Sequence, residues 1–274
     1  MLTLITTPIG NLADISERSR KALADCALLA CEDTRQTRKL LSLLGLQTNA
    51  KLISYHDHNG AKIRPKILEA LAQGVKVGLV SDAGTPLISD PGYKLVKEAR
   101  DAGFAITATA GACSPILALI LSGLPSDRFL FHGFLPDKIK QATALLTETK
   151  PLQLTSIFFV SPSQLSGKLA LIKELWGDRP AALVRELTKL HEEVITKPLS
   201  GLEAYLAESG IPKGELILLV GPATAEAEYS QAEIEELLAI RLQSLSVKDA
   251  VAEITSQTGK PRKEIYQLAL RLKP

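Results

Sequence analysis

A chain of 274 residues, 46% hydrophobic and 23% charged with a net charge of +2, can bury a substantial core as one large or two modest domains. That balance gives no ground by itself for nucleic-acid binding, and no apolar run approaches the roughly 20 residues that span a bilayer. Leu2 follows Met1 without a basic flank, so no signal peptide is expected. The three cysteines, Cys26, Cys31 and Cys113, lack a Cys-x-x-Cys pair and read as core thiols of a reducing cytoplasm, not as disulfides or a zinc site.

In chain order, Leu2 to Thr7 reads as a strand and Thr6 to Leu12 as a stiff loop leaving its end. Asp14 and Glu17 make a capping-box pattern for a helix running toward Cys31, although Leu28 to Cys31 alternatively supplies the next strand. Arg35 to Leu44 predicts a helix stopped by Gly45. Lys51 to Tyr55 predicts a strand ending in His56-Asp57-His58-Asn59, and Ile63 to Gln73 a helix closed by Gly74. Val75, Val77, Leu79 and Val80 have the pattern of a strand buried on both faces. Asp90 then reads as the cap of the next helix, with Pro91 at its first position. A helix from Tyr93 to Ala102, a strand from Ala105 to Ala110 and an apolar helix to Leu121 follow.

This alternation with short links predicts a parallel sheet covered on both faces, with polar loops at 8–11, 32–35, 56–59 and 81–92 leaving its strand ends. The last loop packs two Asp, two Gly, two Pro and two Ser into twelve positions. It reads as a ligand loop, because open α/β sheets bind ligands beyond the carboxyl ends of their strands. Neither a Gly-x-Gly-x-x-Gly fingerprint nor a Walker-type loop is present, so a nucleotide-like ligand would be held another way. His56 and His58 flank Asp57 without further ligands at metal spacing, and no metal site is expected. Glu32 and Asp33 beside Arg35 suit an acid/base pair or a substrate clamp, or simply a helix start that favours acidic side chains.

After a linker at 123–127, a second α/β series runs through strands at Phe129 to Gly133, Ser156 to Val160, Ala181 to Arg185, Glu192 to Lys197 and Glu215 to Val220. Helices are expected at Lys138 to Glu148, Ser163 to Leu175 and Gly201 to Glu208. The dense polar stretch 185–192 reads as cleft lining facing the first domain's ligand loop, with an exposed hairpin as the alternative. Domains are accordingly expected at 1–122 and 123–222, with a helical tail at 223–274. Five acidic and no basic residues lie between Glu226 and Glu236, which suggests an extended connector. Residues 246–274 carry six Lys or Arg against three Asp or Glu. Val247 to Gln257 and Arg262 to Leu272, joined at Gly259-Lys260-Pro261, have the layout of a helix-turn-helix, with a small helical cap as the alternative.

Read in order, Thr7-Pro8-Ile9-Gly10-Asn11-Leu12, Glu32-Asp33-Thr34-Arg35, His56-Asp57-His58-Asn59, the run from Val80 to Gly92, Gly123 to Phe129, Gly133-Phe134-Leu135-Pro136 and Arg185 to Lys189 resemble one family. It is the bacterial 16S rRNA cytidine ribose 2′-O-methyltransferases, of the tetrapyrrole-methylase superfamily. The chain departs from the family's pattern at Ala112, at Val160 to Gln164 and just after Pro136. The resemblance implies an S-adenosylmethionine (SAM) enzyme acting at the decoding centre of the small ribosomal subunit. It also implies two α/β domains with a cleft between them, a short helix-turn-helix-like extension, and a cytoplasmic homodimer. It further implies SAM contacts from Ser81, Asp82, Ala83, Gly84, Thr85, Pro86, Ala112, Ser114 and Ile116, and from Leu187, Thr188, Gly214 and Glu215. Pro8, Gly10, Asn11 and Arg35 would face the RNA, and Lys260, Arg262 and Lys263 would meet its phosphates. A 2′-hydroxyl needs a base within hydrogen-bond reach; Asp33 and Glu32 come first, then Lys189, then His191. The alternatives on the same scaffold are a small-molecule methyltransferase and a ribosome-associated SAM-binding module without catalysis.

Overall fold

A computed structural model describes residues 1–223, 231–243, 245–258 and 260–272. They fall into two units, Met1–Pro222 and Ala223–Pro274. The first unit opens with β1 (Leu2–Ile5), α1 (Glu17–Asp25), β2 (Leu28–Cys31), α2 (Thr34–Leu43), β3 (Lys51–Ser54), α3 (Gly60–Ala72), β4 (Val77–Val80), α4 (Tyr93–Asp101) and β5 (Ile106–Ala108). These strands form a five-stranded sheet of order β3-β2-β4-β1-β5, parallel throughout, as the alternating pattern predicts.

The connecting helices sort onto the two faces of the sheet. Val77 and Leu79 of β4 join Ile67 and Leu71 of α3 and Leu95 and Ala99 of α4 in one core. Val80 joins Leu23 of α1 and Leu41 of α2 in the other. Between them Gly78 leaves room for its neighbours: a Cβ there would stand 2.6 Å from Leu29 Cδ2 and 2.8 Å from Ile5 Cδ1.

Three local expectations are corrected. The first helix stops at Asp25 and Leu28–Cys31 is a strand, buried throughout. Its cap is Ser16, whose hydroxyl accepts from Ser19 N at 3.1 Å, because Leu12–Asp14 is taken up in a 3-10 turn. Asp90 caps no helix: α4 begins after Gly92, whose φ of +143° turns the chain inward, where any Cβ would strike Leu79 and Leu87.

The chain continues through α5 (Ser114–Ser122), β6 (Phe129–Phe134), α6 (Ile139–Thr149), β7 (Thr155–Val160), α7 (Leu165–Trp176), β8 (Pro180–Arg185), β9 (Glu193–Pro198), α8 (Leu199–Ser209) and β10 (Leu216–Val220). The second sheet has the order β6-β7-β10-β8-β9 and is mixed: only β6 and β7 pair in parallel. α6, α7 and α8 bury one face around Phe158, Leu169, Trp176 and Leu218. The other face is covered by α5 through Ala118 and Leu119, together with Ile9 from the loop after β1. Arg179, 5% exposed, donates to the carbonyls of Trp176 and Lys150 and lies 4.9 Å over the Trp176 ring, tying the ends of α6 and α7.

The second unit holds α9 (Gln231–Leu242), α10 (Val247–Thr258) and α11 (Arg262–Leu272) around Ile234, Leu238, Val251, Ile254, Ile265 and Leu268. The acidic stretch is therefore helical where it is described, since α9 carries Glu233, Glu235 and Glu236; Glu226, Glu228 and the turn residue Gly259 lie outside the described residues. Ser246 caps α10, accepting from Asp249 N at 3.2 Å while its hydroxyl donates to Asp249 Oδ2 at 2.6 Å. Arg241 pairs with Glu253 across α9 and α10 at 2.8 Å. Among the described residues no helix is long and apolar enough to cross a membrane.

The tightness around Gly78 has a direct test. Gly78→Val overpacks a site bounded by Leu29 and Ile5 and is expected to cost about 1–3 kcal/mol in denaturant unfolding. Wild-type stability would show that the α1–β4 layer is looser than its distances imply.

Candidate active site

Because the first sheet is parallel, the loops after β1, β2 and β4 leave the same edge. Backbone hydrogen bonds bind them together. Thr7 N donates to Gly84 O at 2.9 Å and Gly84 N donates to Thr7 O at 3.1 Å. Gly84 sits at φ +76°, and a Cβ there would lie 3.0 Å from Ile9 Cγ2. Thr85 Oγ1 donates to Ala112 O at 2.8 Å. Asp33 N donates to Asp82 Oδ1 at 3.0 Å and Asp82 N to Glu32 Oε2 at 3.4 Å. Leu87 and Ser89 take positive φ in the same loop, the strained backbone that clusters at functional sites.

The second sheet contributes a matching loop at residues 186–192. Glu186 and Thr188 are both left-handed there. The Glu186 carboxylate accepts from Glu215 N at 2.8 Å and from Lys189 Nζ at 3.1 Å, and Lys189 Nζ also reaches Glu215 at 3.0 Å. Gly214 makes room for Glu186, since a Cβ there would lie 2.5 Å from its Oε1. Gly10 does the same at the join with the first sheet's loops, standing against Lys189 Cγ and Thr188 Oγ1. The Thr188 hydroxyl is buried and has no hydrogen-bond partner among the described residues.

These loops enclose a cavity of about 410 Å³. Of the residues expected to hold a cofactor, Ala83, Gly84, Thr85, Ser114, Leu187, Gly214 and Glu215 line it. Ser81, Asp82, Pro86, Ala112, Ile116 and Thr188 do not. Ser81 and Pro86 are buried behind the loop, and the Ala112 carbonyl is engaged by Thr85. Glu32, Asp33 and Lys189 lie outside the lining, as do Pro8, which is buried, and Gly10, Asn11, Arg35 and His191. Asn11 accepts from Ala13 N and caps the 3-10 turn. Asp90 lines the cavity as a member of the 81–92 ligand loop, although Asp-Pro before a helix imitates a cap. Cys113, Phe134, Phe159 and Val184 also line it, and nothing in the local sequence points to them.

The carboxylates divide by electrostatics. Asp33 accepts from the exposed Arg35 through both oxygens, at 3.1 Å on Oδ1 and 2.6 Å on Oδ2, and caps α2; the Arg35 side chain holds it down to about 2. Glu186 is held below its usual range by the Glu215 amide. Burial pulls the Lys189 ammonium down, but Glu215 and Glu186 outweigh it and leave its pKa raised. Burial pushes Glu32 up. Burial and then the charge of Glu32 push Asp90 up to about 6, against a hydrogen bond from Ser81. In the second unit Lys260 is half-buried, and Arg262 and Lys263 are exposed at the start of α11.

Residues 1–203 match the family described as tetrapyrrole (corrin/porphyrin) methylases, and residues 228–273 match the RsmI C-terminal HTH domain. The chain is 44% identical over 273 residues to a Mesorhizobium japonicum protein named ribosomal RNA small subunit methyltransferase I, covering 99% of this chain and 92% of that one. Among solved structures it is similar to a diphthine synthase, at 15% identity and TM-score 0.62 over 81% of this chain and 89% of that one. It is also similar to a Thermus thermophilus uroporphyrin-III C-methyltransferase complexed with S-adenosylhomocysteine, at 16% identity and TM-score 0.54 over 80% and 96%.

Asp90 predicts a pH signature. With its native pKa near 6 and an unfolded value near 3.8, the native state binds the extra proton between those limits. Stability contributed at this site is therefore lost as pH rises from about 4 to about 6 and stays lost above. Asp90→Asn should unfold later than wild type at pH 7.5, by on the order of 1 kcal/mol, and with no advantage at pH 3.5. An equal effect at both pH values would refute the raised carboxyl.

Proposed function

This chain belongs to the tetrapyrrole methylase family, with near-full-length relatives named ribosomal RNA small subunit methyltransferase I, and from that premise we propose that it transfers a methyl group from SAM to the ribose 2′-hydroxyl of a cytidine in the decoding centre of 16S rRNA. One observation carries the reading: a chain with a preformed cavity sized for one small ligand also has a helical unit that displays Arg262 and Lys263 where they oppose the helix dipole. Cations in that position do little for folding, so binding a polyanion accounts for them better.

The cavity suits SAM in size and chemistry. Ile9, Ile88, Val184, Leu187 and Ile217 offer apolar walls, and Asp90 offers a carboxylate to a cation. The glycine at φ +76° in the 81–92 loop lets the backbone approach a ligand. When bound, SAM supplies a methyl group on a sulfonium, activated for in-line displacement. The chain's own task is to align the acceptor, exclude water and take up a proton. Asp90 and Glu32 suit proton uptake, being carboxylates with raised pKa. Asp33 and Lys189 suit positioning, because Arg35, Glu186 and Glu215 already neutralise them. Arg35, 85% exposed at the side chain, and Asn11 are offered to the RNA.

The cytoplasm and a homodimer complete the reading. α5 leaves Ile116, Ile120 and Leu121 exposed, an apolar strip of the kind a second copy would cover.

The tail separates an RNA acceptor from a small one. Lys260→Glu, Arg262→Glu and Lys263→Glu together should reduce methylation of small subunits at least about tenfold at low salt, with the gap from wild type narrowing as salt rises and screens the wild-type contacts. SAM affinity, measured by calorimetry, should stay at the wild-type value. Wild-type methylation by the triple variant across low and moderate salt would make α10 and α11 a structural cap.

A further inference from the structure

β6 contains one residue too many for its partner. Its register against β7 shifts between Phe131 and Gly133, and Gly133 lies at φ +66°. In a regular strand Phe131 and Phe134 would point to opposite faces; the bulge restores them to the same one. Both rings then meet Phe159, with centroids 5.0 and 5.3 Å away. His132, the extra residue, stacks on Phe158 at 4.4 Å on the other side and is held neutral by burial.

The segment after the bulge is fixed. Leu135 is buried in the second sheet's core, Gln164 Nε2 donates to Asp137 Oδ1 at 2.6 Å, and Lys168 Nζ donates to the Pro136 carbonyl. Yet Phe134, between Gly133 and Leu135, is 62% exposed and lines the rim of the cavity. Lys138 and Lys140 follow, both exposed and in no ion pair among the described residues. Packing on Phe159 accounts for one side of the ring, and the rest of it is held in water on a rigid mount. Its function is in what it meets.

We propose that Phe134 is a stacking platform for a base of the acceptor RNA, with Lys138 and Lys140 meeting the adjoining phosphates. The inference rests on the RNA-methylating reading above. A ring on a fixed loop presents a π-face that needs no ordering when a base arrives, and every base has a face to offer it. The outward exposure and the two neighbouring cations favour a nucleotide of the acceptor over the adenine of the methyl donor.

Phe134→Leu keeps the apolar volume and removes the π-face; Phe134→Tyr keeps both. Binding to purified small ribosomal subunits is measured in the presence of S-adenosylhomocysteine, separately from turnover, and SAM affinity by calorimetry. Phe134→Leu should weaken subunit binding and raise KM for subunits about tenfold, while Phe134→Tyr stays near wild type. SAM affinity should be unchanged in both variants. A parallel loss of SAM affinity would assign the ring to the cofactor and overturn the proposal. Unchanged subunit binding by Phe134→Leu would overturn it too, as would a loss confined to self-association in light scattering. If the wild-type chain methylates no ribosomal RNA, the functional reading fails by itself, and the binding comparison still decides on the platform.

Discussion

Thr7 and Gly84 exchange both of their backbone hydrogen bonds, and the rest of the site depends on that pair. β1 and β4 are neighbours running parallel, whereas a residue pair that trades both bonds is an antiparallel motif. The two loops must therefore turn back to face each other just beyond the strand ends. Gly84 meets that demand with a left-handed backbone and no Cβ to push Ile9 away. Once it is met, Thr85 reaches Ala112, and Ile9 sits in the second sheet's core. A substitution that opens this one contact would disturb every loop around the cavity.

A second constraint is electrostatic. The site gathers carboxylates from four segments, and the chain neutralises only some of them. Arg35 covers Asp33, and Lys189 covers Glu186 and Glu215. Glu32 and Asp90 are left raised by burial. Leaving them so reduces stability at neutral pH, as do the left-handed Leu87, Ser89, Glu186 and Thr188. The left-handed residues and Asp90 fall on the two loops beside the cavity, and Glu32 lies next to them after β2; perturbed carboxylates and strained backbone gather in this way where geometry serves a ligand.

Much of this was legible in the sequence because it is written in short-range chemistry. The buried run Val77–Val80 and the density of Asp, Gly, Pro and Ser after it mark a strand feeding a polar loop, and that loop lines the cavity together with others of the seven lining residues expected at a cofactor. What escaped was set by tertiary context. Asp-Pro at 90–91 imitates a helix cap, and only the packing of Gly92 against Leu79 shows that the helix starts later. The bulge at Gly133 depends on a register with β7 that the β6 segment alone does not encode. That α5 covers the second sheet is likewise decided by packing, since its apolar sequence would suit either sheet.

The central claim is methyl transfer to a ribose in ribosomal RNA, and its most direct measurement is the fate of a labelled methyl group. Purified protein is incubated with methyl-labelled SAM and small ribosomal subunits that lack the modification, and the RNA is then hydrolysed in alkali. A 2′-O-methyl group blocks the neighbouring phosphodiester from cleavage, so the account predicts label in a single alkali-resistant dinucleotide that begins with cytidine. Label recovered on a base, or on a small molecule with none in the RNA, would contradict it.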